Sequence, residues 1–321
     1  MTTTQIRLPI IAAALICAGT ASAQSWPERQ ITITVVTAAG GSPDTVGRMV
    51  AAKLTERLGK PVVVEINAAG AGIAGTLGVV RSQPDGHNMV ILTGGTPSQQ
   101  ALRPKQPYDL TTDLAMVTTL CAYPMVVSVT PKSPIKDFKD LIARAKANPG
   151  KMTYSMNAIG SLHHLLGEWI NIEAGIDMQG IPYRGSPPAF MDVASGRVDL
   201  MIDTGTFSFG QIAQGQLRAL AQSAPGKYAL APDVPAVSET LPGVNIMSWL
   251  GFAMAKNTPR PVIDRLNTEV RAILEMEDIK NKLADMGNVP MPSSPDEMQA
   301  RIKNELAQWK KIIDAKGIKA E

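Results

Sequence analysis

Three short segments carry residue types suited to holding a small anion: Ala39-Gly40-Gly41-Ser42, Thr93-Gly94-Gly95-Thr96 and Ser155-Met156-Asn157-Ala158-Ile159-Gly160-Ser161. Small residues leave backbone N–H groups reachable and hydroxyls add donors. Where such a loop enters a helix, the first turn adds a positive field. A carboxylate can be held this way without Arg or Lys. One such loop reads as an ordinary turn; three, spread along the chain, point to a shared cleft. Other chemistry has little support. Gly70-Ala71-Gly72-Ile73-Ala74-Gly75 fits the GxGxxG spacing, but a dinucleotide site needs an acid about 20 positions on, and no Asp or Glu occurs between 86 and 108. P-loop, HExxH, CxxC and GxSxG patterns are absent, and histidine occurs only at 87, 163 and 164. His163 and His164, adjacent on a predicted helix, point about 100° apart and suit a shared metal poorly. No metal and no cofactor are expected.

Composition narrows the class. The chain has 321 residues, 31 basic against 28 acidic, with 45% hydrophobic residues. That excludes wholesale disorder and gives no electrostatic footprint for nucleic acid or an anionic membrane. The length favours two domains. Arg7, the apolar run Leu8–Ala18 and Ala21-Ser22-Ala23 form the three parts of a secretory signal, with cleavage expected after Ala23 and a soluble mature protein in the periplasm. Removing 1–23 takes Cys17 away, so Cys121 remains as a single cysteine without an intramolecular partner. It reads as a buried small hydrophobe.

The loops must be positioned by strands and helices. Strands are predicted at 31–36, 61–66 and 89–93, with helices near 46–58 and 73–82 between them. That β-α-β-α-β order indicates a parallel sheet with helices on its faces. A second unit follows, with strands at 124–129, 151–155, 178–183, 198–202 and 217–221 and helices near 137–148, 161–174 and 187–195. A late strand at 249–254 precedes helices at 260–275, 277–286 and 295–315. A tail of that kind cannot bury its apolar face alone and is expected to pack back on the first unit.

The succession of motifs resembles the Bug family, the extracytoplasmic solute receptors of tripartite tricarboxylate transporters. The resemblance runs through Ala38-Ala39-Gly40-Gly41-Ser42-Pro43-Asp44 with Arg48, Leu58-Gly59-Lys60-Pro61-Val62-Val63-Val64-Glu65, Pro84-Asp85-Gly86-His87, Gly160-Ser161-Leu162-His163-His164-Leu165, Pro182-Tyr183-Arg184-Gly185-Ser186-Pro187-Pro188-Ala189, Pro232-Asp233-Val234-Pro235, Trp249-Leu250-Gly251 and Thr258-Pro259. It spans essentially the whole mature chain. The chain departs from the family at Ala38, where a Pro is usual, at Ile66-Asn67-Ala68-Ala69-Gly70, and at Asn157, where a Gly is usual.

The resemblance implies an α/β protein with the type II periplasmic-binding-protein fold: two α/β lobes joined by two crossing strands, expected at 125–129 and 248–253, with a ligand cleft between. Lobe 1 would comprise 24–126 plus 250–321, and lobe 2 127–249. It implies binding of a small organic carboxylate through Ala39, Gly40, Thr93, Thr96, Ser155, Asn157 and Ser161. Asp203, ending a strand, is placed either to accept from a ligand amine or hydroxyl or to cap a helix. Tyr183 and Arg184 are further candidates, Arg184 also fitting a surface ion pair. The implied protein is a monomeric receptor, not an enzyme, that closes on its ligand and delivers it to membrane transporter subunits. Two alternatives stand beside it: a receptor for a membrane signalling protein, and an exported enzyme using Asp203 with His164. With Tyr183, Phe207 and Phe209 the nearest aromatics, an aliphatic acid is favoured.

Overall fold

The computed structural model describes residues 26–319; the expected signal segment lies outside them. The element order is β1 (Ile31–Val35), α1 (Ser42–Leu58), β2 (Val62–Ile66), α2 (Ile73–Val80), β3 (Asn88–Thr93), α3 (Gly95–Leu102), β4 (Leu114–Val129), α4 (Phe138–Ala147), β5 (Thr153–Met156), α5 (Leu162–Ala174), β6 (Gln179–Pro182), α6 (Ser186–Ala194), β7 (Leu200–Thr204), α7 (Gly205–Ala213), β8 (Arg218–Gln222), α8 (Val237–Thr240), β9 (Met247–Ala255), α9 (Arg260–Leu274), α10 (Glu277–Asp285), β10 (Val289–Pro290) and α11 (Pro295–Lys316). The strands run β2-β1-β3-β9-β4 in the first lobe and continue β4-β7-β5-β6 in the second, with β8 and β10 also on β4. Pairing is parallel around β1 and β5 and antiparallel where β9 and β4 take part.

The first lobe is a sheet covered on both faces. Alternation along β3 sends Met89 and Ile91 to one side, against α1, α9 and α10 through Val50, Leu54, Val270 and Leu283. Val90 and Leu92 face the other side, with Trp249 and with Met298 and Ile302 of α11. Burying each such side chain is worth about 1.5–3 kcal/mol. α1 starts at Gly41 with Pro43 and Asp44 in its first turn, and stops at Gly59, whose left-handed φ of 66° lets its N–H reach Thr55 O. In the second lobe, Met125, Val127 and Val129 of β4 share a core with Tyr154, Leu165 and Leu166.

Both lobes meet on β4. Leu114–Pro124 pairs with β9, and from Met125 to Ser128 the strand pairs with β7 instead. The predicted crossing segment 125–129 is thus the last part of a 16-residue strand. Its first part gave no alternation to read because all but one of its residues are buried, the pattern of a strand covered on both faces. The segment 248–253 lies wholly within the first sheet. The chain returns to that sheet at the start of β9, where Ile246 N donates to Ser223 O at 2.8 Å.

Candidate ligand cleft between the lobes

A cavity of about 550 Å³ opens between the C-terminal ends of the parallel strands of both lobes. Its volume is that of a small-molecule site. The first lobe contributes mainly backbone and small side chains: Thr37, Gly41, Ser42, Ala68 to Ala71, Thr93 and Gly95, plus Gln99 and Arg103 of α3 and its end. The second contributes Asn157, Ser161, His163, Tyr183, Arg184, Ser186 and Thr204. Tyr123 and Met125 line it at the changeover point of β4. Burial pushes the Tyr123 hydroxyl well above its usual range, so it stays neutral.

The lobes touch along two seams. At the outer seam, between the loops after β1 and β6, Ala38 N donates to Arg184 O at 3.0 Å. Gly185 lies so close there that a Cβ on it would stand 2.8 Å from Ala38 Cβ. At the inner seam, between the loops after β3 and β5, Ser98 Oγ donates to Gly160 O at 2.7 Å. Gly160, at φ +85°, faces Leu102 and Gln99. A further link joins Ser42 Oγ and Thr204 Oγ1 at 2.5 Å. These contacts describe a closed cleft.

Of the residues the sequence singled out, Thr93, Asn157, Ser161, Tyr183 and Arg184 line the cavity. Ser161 caps α5, its hydroxyl accepting from His164 N. Tyr183 OH donates to Asp192 Oδ2 at 2.8 Å; burial and that carboxylate push its pKa up to about 12. The others stand outside the wall. Ala39 and Gly40 are exposed at the rim, with Gly40 N donating to Asp44 Oδ2 at 2.8 Å and Arg48 Nε to Asp44 Oδ1 at 2.7 Å. Thr96 is buried in the first turn of α3, accepting from Thr93 N. Ser155 is buried in β5, its hydroxyl without a protein partner.

Asp203, 1% exposed, sits behind the wall. Its Oδ1 accepts from Thr204 N at 2.6 Å and Ser186 Oγ at 3.0 Å, and faces His163 Nε2 at 3.3 Å. This carboxylate ties the starts of α5, α6 and α7 together. The histidine it meets is His163, not His164, whose Nδ1 accepts from Gly160 N at 3.2 Å. Phe207 packs edge-on against Phe190, and Phe209 stacks on Tyr228; neither lines the cavity. The GxGxxG run closes a tight turn onto β1, a Cβ on Gly72 standing 2.9 Å from Val36 O, and its Gly70 and Ala71 line the cavity. Among the described residues no group of three or more His, Cys, Asp or Glu is placed to hold a metal ion.

The sequence reading passed over Thr37, Gln99 and Arg103, and weighed His163 only as a metal ligand and as part of a family motif. Gln99 and Arg103 depend on α3, which opens Gly-Thr-Pro and read as the end of a loop. The one available signal was for Thr37, which directly precedes the first Gly-rich loop.

The description "tripartite tricarboxylate transporter family receptor" matches residues 46–318. The chain belongs to that family. Among curated relatives, Protein BugT of Bordetella pertussis is 31% identical over 301 residues, covering 93% of this chain and 92% of the relative. Among solved structures, the periplasmic binding protein BugD superposes with a TM-score of 0.88 at 29% identity, over 92% of this chain and 100% of the other. Rpa4515 of R. palustris, solved with adipate, does so with 0.88 at 31% identity, over 92% and 99%. MatC of Rhodopseudomonas palustris, solved with bound malate, does so with 0.85 at 26% identity, over 90% and 100%. The protein is a solute-binding receptor of this family with the two-lobed fold of periplasmic binding proteins; family and fold are those of binding proteins, not enzymes. No helix among the described residues is long and apolar enough to cross a membrane.

Proposed function

We propose that this receptor works in the periplasm as a single chain, closes on a small aliphatic carboxylate, and delivers it to the membrane subunits of a tripartite tricarboxylate-type transporter. The observation that carries the reading is the cavity wall: it contains Arg103 and Arg184 and no Asp or Glu. Such a wall favours an anion. The relatives solved with adipate and malate support the choice of carboxylate. Within the site, Thr93, Asn157, Ser161 and Tyr183 contact the ligand, while Ala39, Gly40, Thr96, Ser155 and Asp203 hold the loops that present it. The lobes divide as 24–126 plus 250–321 and 127–249.

Function then follows from linkage. A ligand touching both walls stabilises the closed arrangement by its differential affinity for it, and the closed form is what a membrane partner recognises. No bond is made or broken. The test is a thermal-shift screen against carboxylic acids and their matched amides. At about 100 times its dissociation constant a true ligand adds roughly 2.7 kcal/mol of stability, a shift of several degrees. Stabilisation by acids and not by amides is expected; equal shifts with both, or none with any acid, would overturn the reading.

A further inference from the structure

We propose that Tyr123 is the length gauge of the cleft: its ring forms the inner end of the cavity and fixes how long an aliphatic acid the closed receptor accepts. The proposal rests on the carboxylate-receptor reading and deepens it.

Tyr123 stands where β4 passes from one lobe to the other. It pairs with Ser248 of β9 in the first sheet, and two residues on Met125 pairs with Thr204 of β7 in the second. Tyr123, Met125, Ser248 and Thr204 all line the cavity. The far end of the ring is at the cavity floor, not only its backbone: the hydroxyl reaches the Ser248 side chain and lies within range of the Asp203 charge from the other lobe. The ring is 1% exposed and belongs to the first-lobe core with Cys121 and Leu250.

This end of the cavity does not yield. A close-packed core leaves the ring no second position. Ser248 is held from behind, where a Cβ on Gly94 would stand 3.2 Å from both its Cα and its Oγ. Met125, the other floor side chain of β4, is an unbranched thioether that repacks around what it meets; the tyrosine ring has no such freedom. The far side of the cavity is bounded by the two seams, whose contacts form only when the lobes meet. A chain too long for the closed cavity therefore meets the ring at one end and holds the seams apart at the other, so excess length is read as failure to close. One methylene too many or too few in an apolar pocket changes affinity by about 10- to 200-fold.

Calorimetric titration of the full mature protein with unbranched monocarboxylates from acetate to octanoate, and with diacids from malonate to suberate, gives affinity against chain length and tests the idea. The unmodified protein is expected to show a peak, with a loss of at least about tenfold just beyond it. In Tyr123→Ala the acids just beyond that peak gain at least about tenfold relative to the peak acid, and the maximum moves to longer chains. Tyr123→Leu shows the same shift to a smaller extent and serves if the Ala variant does not fold. Tyr123→Phe keeps the ring and leaves the peak in place. Leu120→Ala truncates a residue of the same core that does not line the cavity; it lowers the melting temperature without moving the peak. A profile without a peak, a peak that stays in both Tyr123→Ala and Tyr123→Leu, or an equal shift in Leu120→Ala would overturn the gauge and leave the carboxylate reading standing. Failure of every acid to bind the unmodified protein would overturn both readings together.

Discussion

The two seams of the cleft close in different ways. Counted outward from β4, β3 and β5 are the second strands on each side, while β1 and β6 are the third. The outer seam therefore moves furthest in any rotation about the crossing strands. It is held by a backbone hydrogen bond and by the bare Cα of Gly185 against Ala38. The inner seam, nearer the pivot, is held by the buried Ser98 hydroxyl and by Leu102, which shares a core with Leu162 and Leu165 of the second lobe. The outer seam thus behaves as a latch, whose contacts exist only when the lobes meet, and the inner seam as part of the bearing.

Gly185→Ala tests that division most severely. Its methyl group falls on Ala38, so the latch closes only after the loops shift. An overpacking cost of about 1–3 kcal/mol corresponds to roughly a 5- to 150-fold loss of ligand affinity. Calorimetry should show that loss, accompanied by a smaller drop in melting temperature without ligand, because Gly185 sits at φ +156°, where an L residue is strained. Asp203→Asn comes next. It removes the charge that three neighbouring groups face, and should cost about 1.5–3 kcal/mol of stability by chemical denaturation.

Ser98→Ala is expected to be milder. It leaves Gly160 O without its hydroxyl donor and should lower stability by about 1 kcal/mol while weakening ligand only a few-fold. An affinity loss as large as that of Gly185→Ala would erase the distinction between the seams. Glu305→Gln is the control outside both seams. Burial holds the Glu305 carboxyl above its ordinary value, against the opposing pull of Trp249 and Arg301. The folded state therefore keeps a proton that the unfolded state releases, and stability falls as pH rises from the ordinary glutamate value through the folded one. The Gln variant should lose that slope in melting temperatures recorded from about pH 4 to about pH 8, with ligand affinity unchanged.

Much of this arrangement was readable from the chain. The β-branched runs at β1 to β3 and the Gly-rich ends of β1, β3 and β5 located the cleft because parallel strands expose their C-terminal ends to ligands. Three helices escaped, the four-residue α8 among them. α3 (GTPSQQAL) and α7 (GTFSFGQIA) begin with glycine and carry β-branched, aromatic or polar residues of low helix propensity. They are helical because packing overrides that preference, as the complete burial of Ser98 and Ser208 indicates. Losing α3 meant losing Gln99 and Arg103. The pairing of His163 with Asp203 was unreadable for another reason: 40 residues separate them, and only the folded second lobe brings them together.

The place of β9 has a consequence for the order in which the molecule is assembled. It lies between β3 and β4 in the first sheet, yet it is made only after the chain has passed through the whole second lobe. Until residue 255 arrives, the first lobe holds two unjoined fragments with open edges. The second lobe has all its strands by the end of β8, although Val237, Val244 and Ile246 and then Trp309 and Ile313 of α11 join its core later. Synthesis or translocation from the N-terminus thus finishes the first sheet last, and leaves its strand edges exposed for pairing with other chains until then.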